Sequence, residues 1–328
     1  MSRPLRFSAN INTFNACADR YVLSGYGQRL TTEELIQAAT RVEGLSGVEV
    51  VGFWHVNDEN VAQVNRRIHD AGLEVSCVTP DIWASAKWGR GSFASNDPEI
   101  RRAAIHEVKK SMEWARQMNC KVVDLWFGQD GYDYPLQADY QAAWDRIIAG
   151  TIECAEHLPE VNLVIEYKPK EPRTHCFIGT VSDTLLLLDK VNKPNVGAMV
   201  DVGHSLEAYE DTAEAAAKLH YFGNKLMYMH FNDNWRLWDD DMTAGSIHIT
   251  ELLELLYWLD RLGYDGWYAL DIFPYREDGV RAANESIKWI QGLHDALDKI
   301  GRDKIADAIA HNDAMTATAL VREAFLGK

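Results

Sequence analysis

The chain has 328 residues, 47% of them hydrophobic, and a formal net charge of −16 from 49 acidic and 33 basic residues. That is ample material for a large core. The acidic balance, with no basic face, argues against nucleic acid or any other polyanionic partner. It leaves a solubilising surface, or carboxylates gathered around a cation. The five cysteines, Cys17, Cys77, Cys120, Cys154 and Cys176, are scattered and form no CxxC pair, so they read as reduced thiols. The opening Met1-Ser2-Arg3-Pro4 has no apolar h-region behind it, and no apolar run is long enough to span a bilayer. The expected setting is cytoplasmic, away from membranes.

Short β-rich runs alternate with amphipathic ones from the start. A strand over Leu5–Ile11 runs into Asn10-Ile11-Asn12-Thr13-Phe14, where a dinucleotide fold would carry its glycine-rich turn. Thr31-Thr32-Glu33-Glu34 caps a helix over Thr32–Val42, followed by a strand over Val48–Phe53 and a helix over Val61–Ala71 that stops at Gly72. A strand over Glu74–Val78, the long loop Thr79–Asn96, a helix over Pro98–Met118 and a strand over Lys121–Trp126 come next. Loop Gly128–Gln137, helix Asp139–His157, strand Val161–Tyr167 and helix Val181–Lys190 continue the alternation. The remaining strands are Val196–Val202, Leu226–Phe231 and Trp267–Ile272, with helices Thr212–Phe222, Ile249–Leu262 and Gly279–Ile300, the loop Asn232–Ser246, and a tail helix over Arg302–Phe325. Eight strands alternating with eight helices predict an α/β chain: a (β/α)8 TIM barrel over residues 1–300 with a C-terminal helical tail over 301–328. The long loops then lie on the strand-to-helix side, the catalytic face of such barrels.

Ligand-type residues collect at the strand ends. Glu166 and Lys168 are two positions apart at the close of an apolar run, so as strand residues they would share a face, and two buried charges are seldom kept for stability alone. Strand two ends at Trp54-His55, strand four at Trp126, and strand six at Val200-Asp201-Val202-Gly203-His204. Strand seven ends at His230-Phe231-Asn232-Asp233 before Trp238-Asp239-Asp240-Asp241, and strand eight at Asp271. Singly, each has a duller explanation: Asp201 as a helix cap, His230 as a core histidine, the aspartate run as a solvated loop. Together at the ends of consecutive strands, carboxylates and imidazoles suit Mn²⁺, Mg²⁺, Co²⁺ or a Zn²⁺-like ion. Trp54, Trp83, Trp88, Trp126 and Trp238 lie near these loops, where they suit stacking on a sugar or simple packing.

Glu166-Tyr167-Lys168-Pro169-Lys170-Glu171-Pro172 resembles the strand-five motif of the xylose isomerase superfamily, most closely its L-rhamnose isomerase branch. Val200–His204 is similar to that branch's strand-six motif, and His230-Phe231-Asn232 with Asp239-Asp240-Asp241 to its strand-seven motif. Phe53-Trp54-His55 and Phe93-Ala94-Ser95-Asn96-Asp97 resemble xylose isomerase segments. The resemblance implies a metal-dependent aldose–ketose isomerase, an intramolecular oxidoreductase acting on a small unphosphorylated sugar of rhamnose or xylose type. It implies one ion, Mn²⁺ foremost, on Glu166, Asp201, His230 and Asp271, and a second on Asp201, His204, Asp239 and Asp241. Lys168, His55, His204 and Asp239 would be catalytic; His55, Trp126 and Lys168 would bind substrate. A homodimer or homotetramer is the implied assembly.

The alternatives are a one-metal ketose 3-epimerase of the same barrel group and a non-catalytic sugar- or metal-binding protein. Such epimerases usually carry glutamate at the last strand, whereas this chain has Asp271, and the Asp239/Asp241 pair would be surplus to them. A related barrel nuclease is disfavoured by the acidic charge.

Overall fold

In the computed structural model, which describes residues 4–171 and 173–327, the apolar runs close on one another as an eight-stranded barrel. Pro172 and Met1 to Arg3, quoted above, lie outside the described residues. The barrel strands are β1 (Arg6–Asn10), β2 (Leu45–Val51), β3 (Glu74–Thr79), β4 (Val122–Trp126), β5 (Asn162–Glu166), β6 (Val196–Asp201), β7 (Leu226–Phe231) and β8 (Trp267–Leu270). Each pairs in parallel with its neighbours in chain order, and β8 pairs back onto β1 with Arg6 opposite Trp267. With helices in the intervening connections, this is the (β/α)8 fold.

The strand ends differ from the sequence reading for local reasons. β1 stops at Asn10, whose side chain accepts from Asn12 N at 3.1 Å and starts a 3-10 turn over Ile11–Phe14. β5 stops at Glu166, so Lys168 is not an in-strand neighbour of it; the Lys168 N–H instead donates to the Ile178 carbonyl at 3.2 Å. After β6 a short helix, Val202–Glu207, begins at once, capped by Asp201 accepting from His204 N at 2.8 Å. The single tail helix expected over Arg302–Phe325 is two, Arg302–Ala310 and Ala314–Leu326. Asn312 takes a left-handed φ of 52°, and Asp313 caps the second helix by accepting from Thr316 N. No helix among the described residues is long and apolar enough to cross a membrane.

The barrel interior is what places the site. Cys77, Val164, Met199, Tyr228, Trp267 and Ala269 form a packed cluster inside it, separate from the larger core beneath the helices. Strand side chains alternate faces, so two residues further along β5, β6 and β7, and just past the end of β8, the same inward direction is taken by Glu166, Asp201, His230 and Asp271. The apolar cluster is thus the floor on which the polar layer stands.

Two long loops are fastened to this frame. Gly131–Tyr132 and His175–Cys176 form a two-stranded antiparallel ribbon joining the loops after β4 and β5. Gly131 is required there, since a Cβ would lie 2.1 Å from the His175 carbonyl oxygen. Beside it, the buried Asp130 carboxylate accepts from the backbone of Ser92, Phe93 and Ala94 and from the Ser92 hydroxyl at 2.6–3.0 Å, tying in the loop after β3.

Candidate metal centre

Four of the expected ligands converge. One oxygen each from Glu166, Asp201 and Asp271 and a ring nitrogen of His230 lie within 4.8 Å of one another. His230 Nδ1 faces this group, 3.0 Å from Glu166 Oε1, 3.6 Å from Asp271 Oδ2 and 3.7 Å from Asp201 Oδ2. A second group, Asp201, His204 and Asp239, meets the same distance limit and shares Asp201 with the first. His204 Nδ1–H donates to the Tyr167 carbonyl at 3.0 Å, which turns Nε2 toward Asp239 Oδ2, 3.3 Å away. Asp241 lies outside the second group, contrary to the expected ligand set. Its Oδ1 is tied at 3.3 Å to Asn232 Nδ2, which also donates to both Asp201 oxygens. The left-handed φ of Asp241, 46°, sets that position in the loop.

Lys168 sits beside the second group. Its ammonium contacts Asp239 Oδ2 at 2.6 Å, pairs closely with Glu171, and lies 5.2 Å from the centre of the Trp126 ring. Burial works against that charge, but Asp239 and Glu171 more than offset it and hold Lys168 well above the ordinary lysine pKa. Burial would also raise Asp239, yet Lys168 and His204 keep it ionised far below the usual carboxylate range. At Glu166 burial is likewise outweighed, by His230, and its pKa falls to about 2. Asp271 moves the other way, to about 7, because burial dominates there. Five carboxylates, Glu166, Asp201, Asp239, Asp241 and Asp271, crowd one patch of buried surface beside Lys168 and two imidazoles; burial and mutual repulsion raise the pKa of Asp201, Asp241 and Asp271, a crowding that a bound cation would relieve.

The other expected residues separate. His55 lies just past β2, buried, and its Nδ1 accepts from Val51 N at 2.9 Å. No hydrogen bond or ion pair among the described residues joins it to the carboxylates. Its link to the site is an aromatic chain: Trp54 beside His55, Trp83 at 6.0 Å from Trp54, and Trp126 at 5.0 Å from Trp83. The buried Trp126 Nε1–H has no hydrogen-bond partner among the described residues. Trp88 is fully buried in the core, so it packs and does not stack on a ligand. Phe93 packs on Phe127 and Asp97 caps the helix Pro98–Gln117, so the segment 93–97 is scaffold.

Sequence reasoning missed the residues behind the ligands. Glu49 on β2 meets His230 Nε2 at 3.1 Å, Asp124 on β4 hydrogen-bonds Glu166, and Asn10 Nδ2 donates to Asp271 Oδ1 at 3.1 Å. Burial and the neighbouring Glu166 push Asp124 well above the ordinary carboxylate pKa. The signal was present: Val48-Glu49-Val50 and Val123-Asp124-Leu125 each place one carboxylate inside an apolar strand, the pattern that singled out Glu166. Above the centre opens a cavity of about 1470 Å³, with Asp239, Asp241 and Glu171 in its wall and Trp235, Trp238 and Tyr275 nearer its rim.

Residues 36–293, from the first helix to the last barrel helix, match the model of the xylose isomerase-like TIM barrel family. The chain belongs to that family. Solved structures carry the same fold at low identity. A D-tagatose 3-epimerase-like protein is 18% identical, with 89% of this chain and 100% of that one covered and a TM-score of 0.66. A xylose isomerase domain protein from Alicyclobacillus acidocaldarius subsp. acidocaldarius is 17% identical, covering 89% and 99% with a TM-score of 0.67. An L-ribulose 3-epimerase is 15% identical, covering 93% and 98% with a TM-score of 0.71. Within a xylose isomerase-like barrel, the polar layer at the C-terminal strand ends is where the fold places its chemistry.

Proposed function

We propose that this xylose isomerase-like barrel is a divalent-metal-dependent aldose–ketose isomerase of the rhamnose type, acting on a small unphosphorylated sugar. The observation that carries the reading is the sharing of Asp201 between two ligand groups, with the Lys168 ammonium against the second. The donor sets fit such ions. Glu166, Asp201, His230 and Asp271 would hold one, and Asp201, His204 and Asp239 a second, with Asp241 adjacent. Asp239 Oδ1 is buried without a hydrogen-bond partner among the described residues, an acceptor left for a cation. Gly203 leaves room beside it, since a Cβ there would come 3.1 Å from that same oxygen. Carboxylate oxygens with one imidazole per group suit Mn²⁺, Mg²⁺ or Co²⁺.

When bound, such an ion supplies Lewis acidity to the carbonyl and hydroxyl oxygens of an open-chain sugar. The chain supplies the rest. Lys168, fixed by Asp239 and Glu171, offers a positive charge where the carbonyl oxygen becomes anionic as hydrogen moves between C1 and C2. Asp239, kept ionised, can accept a hydrogen bond from the neighbouring sugar hydroxyl and orient it, and His204 stands against it at 3.3 Å. Trp126 lies against the Lys168 ammonium, 5.2 Å from its ring centre, and would help to hold that charge in place.

The second reading is a ketose 3-epimerase, favoured by the names of the solved structures with this fold. It needs the first ligand group alone and leaves His204, Asp239 and Lys168 without a task. Metal content separates the two. Protein dialysed against Mn²⁺, Mg²⁺ or Co²⁺ and analysed by plasma mass spectrometry should retain two ions per chain, and second-group variants such as H204A should retain one. One ion in both proteins, with C3 epimers as the only sugar products, would make the enzyme an epimerase.

A further inference from the structure

Each ligand of the first group leans on a neighbour. Asn232 holds Asp201, Asn10 holds Asp271 and Asp124 holds Glu166. At His230 the neighbour decides something the others do not, because an imidazole has two nitrogens and only one can face the ion. Glu49 is 1% exposed, on the far side of the ring from the ligand group. Its Oε2 and Oε1 lie 3.1 and 3.2 Å from His230 Nε2, and Oε1 also accepts from the Tyr228 hydroxyl at 2.7 Å. Tyr228 belongs to the apolar floor and is itself held by Ser8 at 3.3 Å. As a stabilising device alone, a carboxylate buried this deeply would be a poor choice beside an apolar side chain.

We propose that Glu49, braced by Tyr228, is the positioning residue that keeps the His230 proton on Nε2 and so leaves the Nδ1 lone pair for the first ion. This rests on the metal reading above, and it adds a residue of β2 to a centre whose proposed ligands come from the ends of β5 to β8 and the segments after β6 and β7. Without a fixed acceptor at Nε2, the ring has no reason to prefer the tautomer or the orientation that ligation needs, and such outer partners usually matter for affinity.

The test compares wild-type protein with E49Q and Y228F, stripped of metal and titrated calorimetrically with Mn²⁺, then loaded with Zn²⁺ for ¹⁵N-histidine NMR. E49Q should weaken the first ion roughly 10–100-fold while the ion on Asp201, His204 and Asp239 keeps its affinity in the same titration. In the loaded wild type, the His230 ring should show a metal-bound Nδ1 and a protonated Nε2 whose signal is shifted by the Glu49 carboxylate, and E49Q should lose that shift. Y228F leaves the Glu49 charge in place and should give a smaller, several-fold weakening; it decides the matter if E49Q does not fold. Wild-type affinity in the folded variants, with an unchanged His230 spectrum, would overturn the proposal while leaving the metal centre standing. A wild-type protein that takes up no ion would overturn the metal reading and this inference with it.

Discussion

At the scale of single residues, two basic side chains have opposite situations. Lys168 is buried but paired to Asp239 and Glu171, so its charge is sustained inside the protein. His55 is buried without a carboxylate partner, and burial drives its pKa down from 6.5 to about 4. The Lys168→Met variant should still bind metal, yet turn over at least about 100-fold more slowly, the usual scale for losing one donor to a developing oxyanion. Retained activity per folded molecule, with lost stability, would show Lys168 to be structural. His55 gives a pH signature. Its neutral form is the one that folds, so its contribution is whole above about pH 6.5 and is lost as the pH falls toward 4, where the unfolded chain binds the proton first. Between pH 7 and pH 5 this amounts to about 2 kcal/mol. Urea unfolding of wild type and H55Q at both values should show the pH difference shrinking by that amount in the variant; equal pH dependence would place the acid sensitivity elsewhere.

At the scale of elements, the loops around the centre are held by buried acceptors and close backbone contacts. Asp130 gathers three backbone N–H groups of residues 92–94, and D130A would leave those donors buried and unmet. Unfolding free energy should fall by about 3 kcal/mol, whereas a change below 0.5 kcal/mol, on the order of an ordinary surface substitution, would show that water replaces the carboxylate. The order and type of the barrel strands were legible in the sequence because each apolar run is bounded by caps, glycines or prolines. Their ends were less so. Asn10 begins a turn through its own side chain, and Asp201 both closes β6 and caps the helix after it, so one residue serves local structure and the site together. The convergence of Glu166, Asp201, His230 and Asp271 was legible because they sit at strand ends next to motifs with recognisable spacing. Glu49 and Asp124 were not singled out because their partners, His230 and Glu166, lie on other strands and meet them only when the barrel closes. Asp241 has a left-handed backbone that sets its Oδ1 3.3 Å from Asn232 Nδ2, a position that depends on the loop's fold and not on spacing along the chain.

At the scale of the whole molecule, an apolar floor inside the barrel carries a layer of crowded carboxylates, beneath a cavity of about 1470 Å³. A cation that binds only the folded barrel must stabilise it, by about 2.7 kcal/mol at a free concentration 100 times its dissociation constant. Melting temperature should therefore rise with added Mn²⁺ and return on chelation, and a melting curve indifferent to metal would argue that the crowding is relieved in another way. The central claim is that this layer exchanges an aldose for a ketose. The most direct measurement follows [1-¹³C]-labelled aldoses by NMR with metal-loaded protein, before and after excess chelator. The account predicts that the labelled aldehyde carbon becomes the C1 hydroxymethyl of the corresponding ketose, and that chelation stops the exchange. Inversion at C3 of added ketoses with no aldose–ketose exchange, or exchange that continues undiminished after the metal is removed, would contradict it.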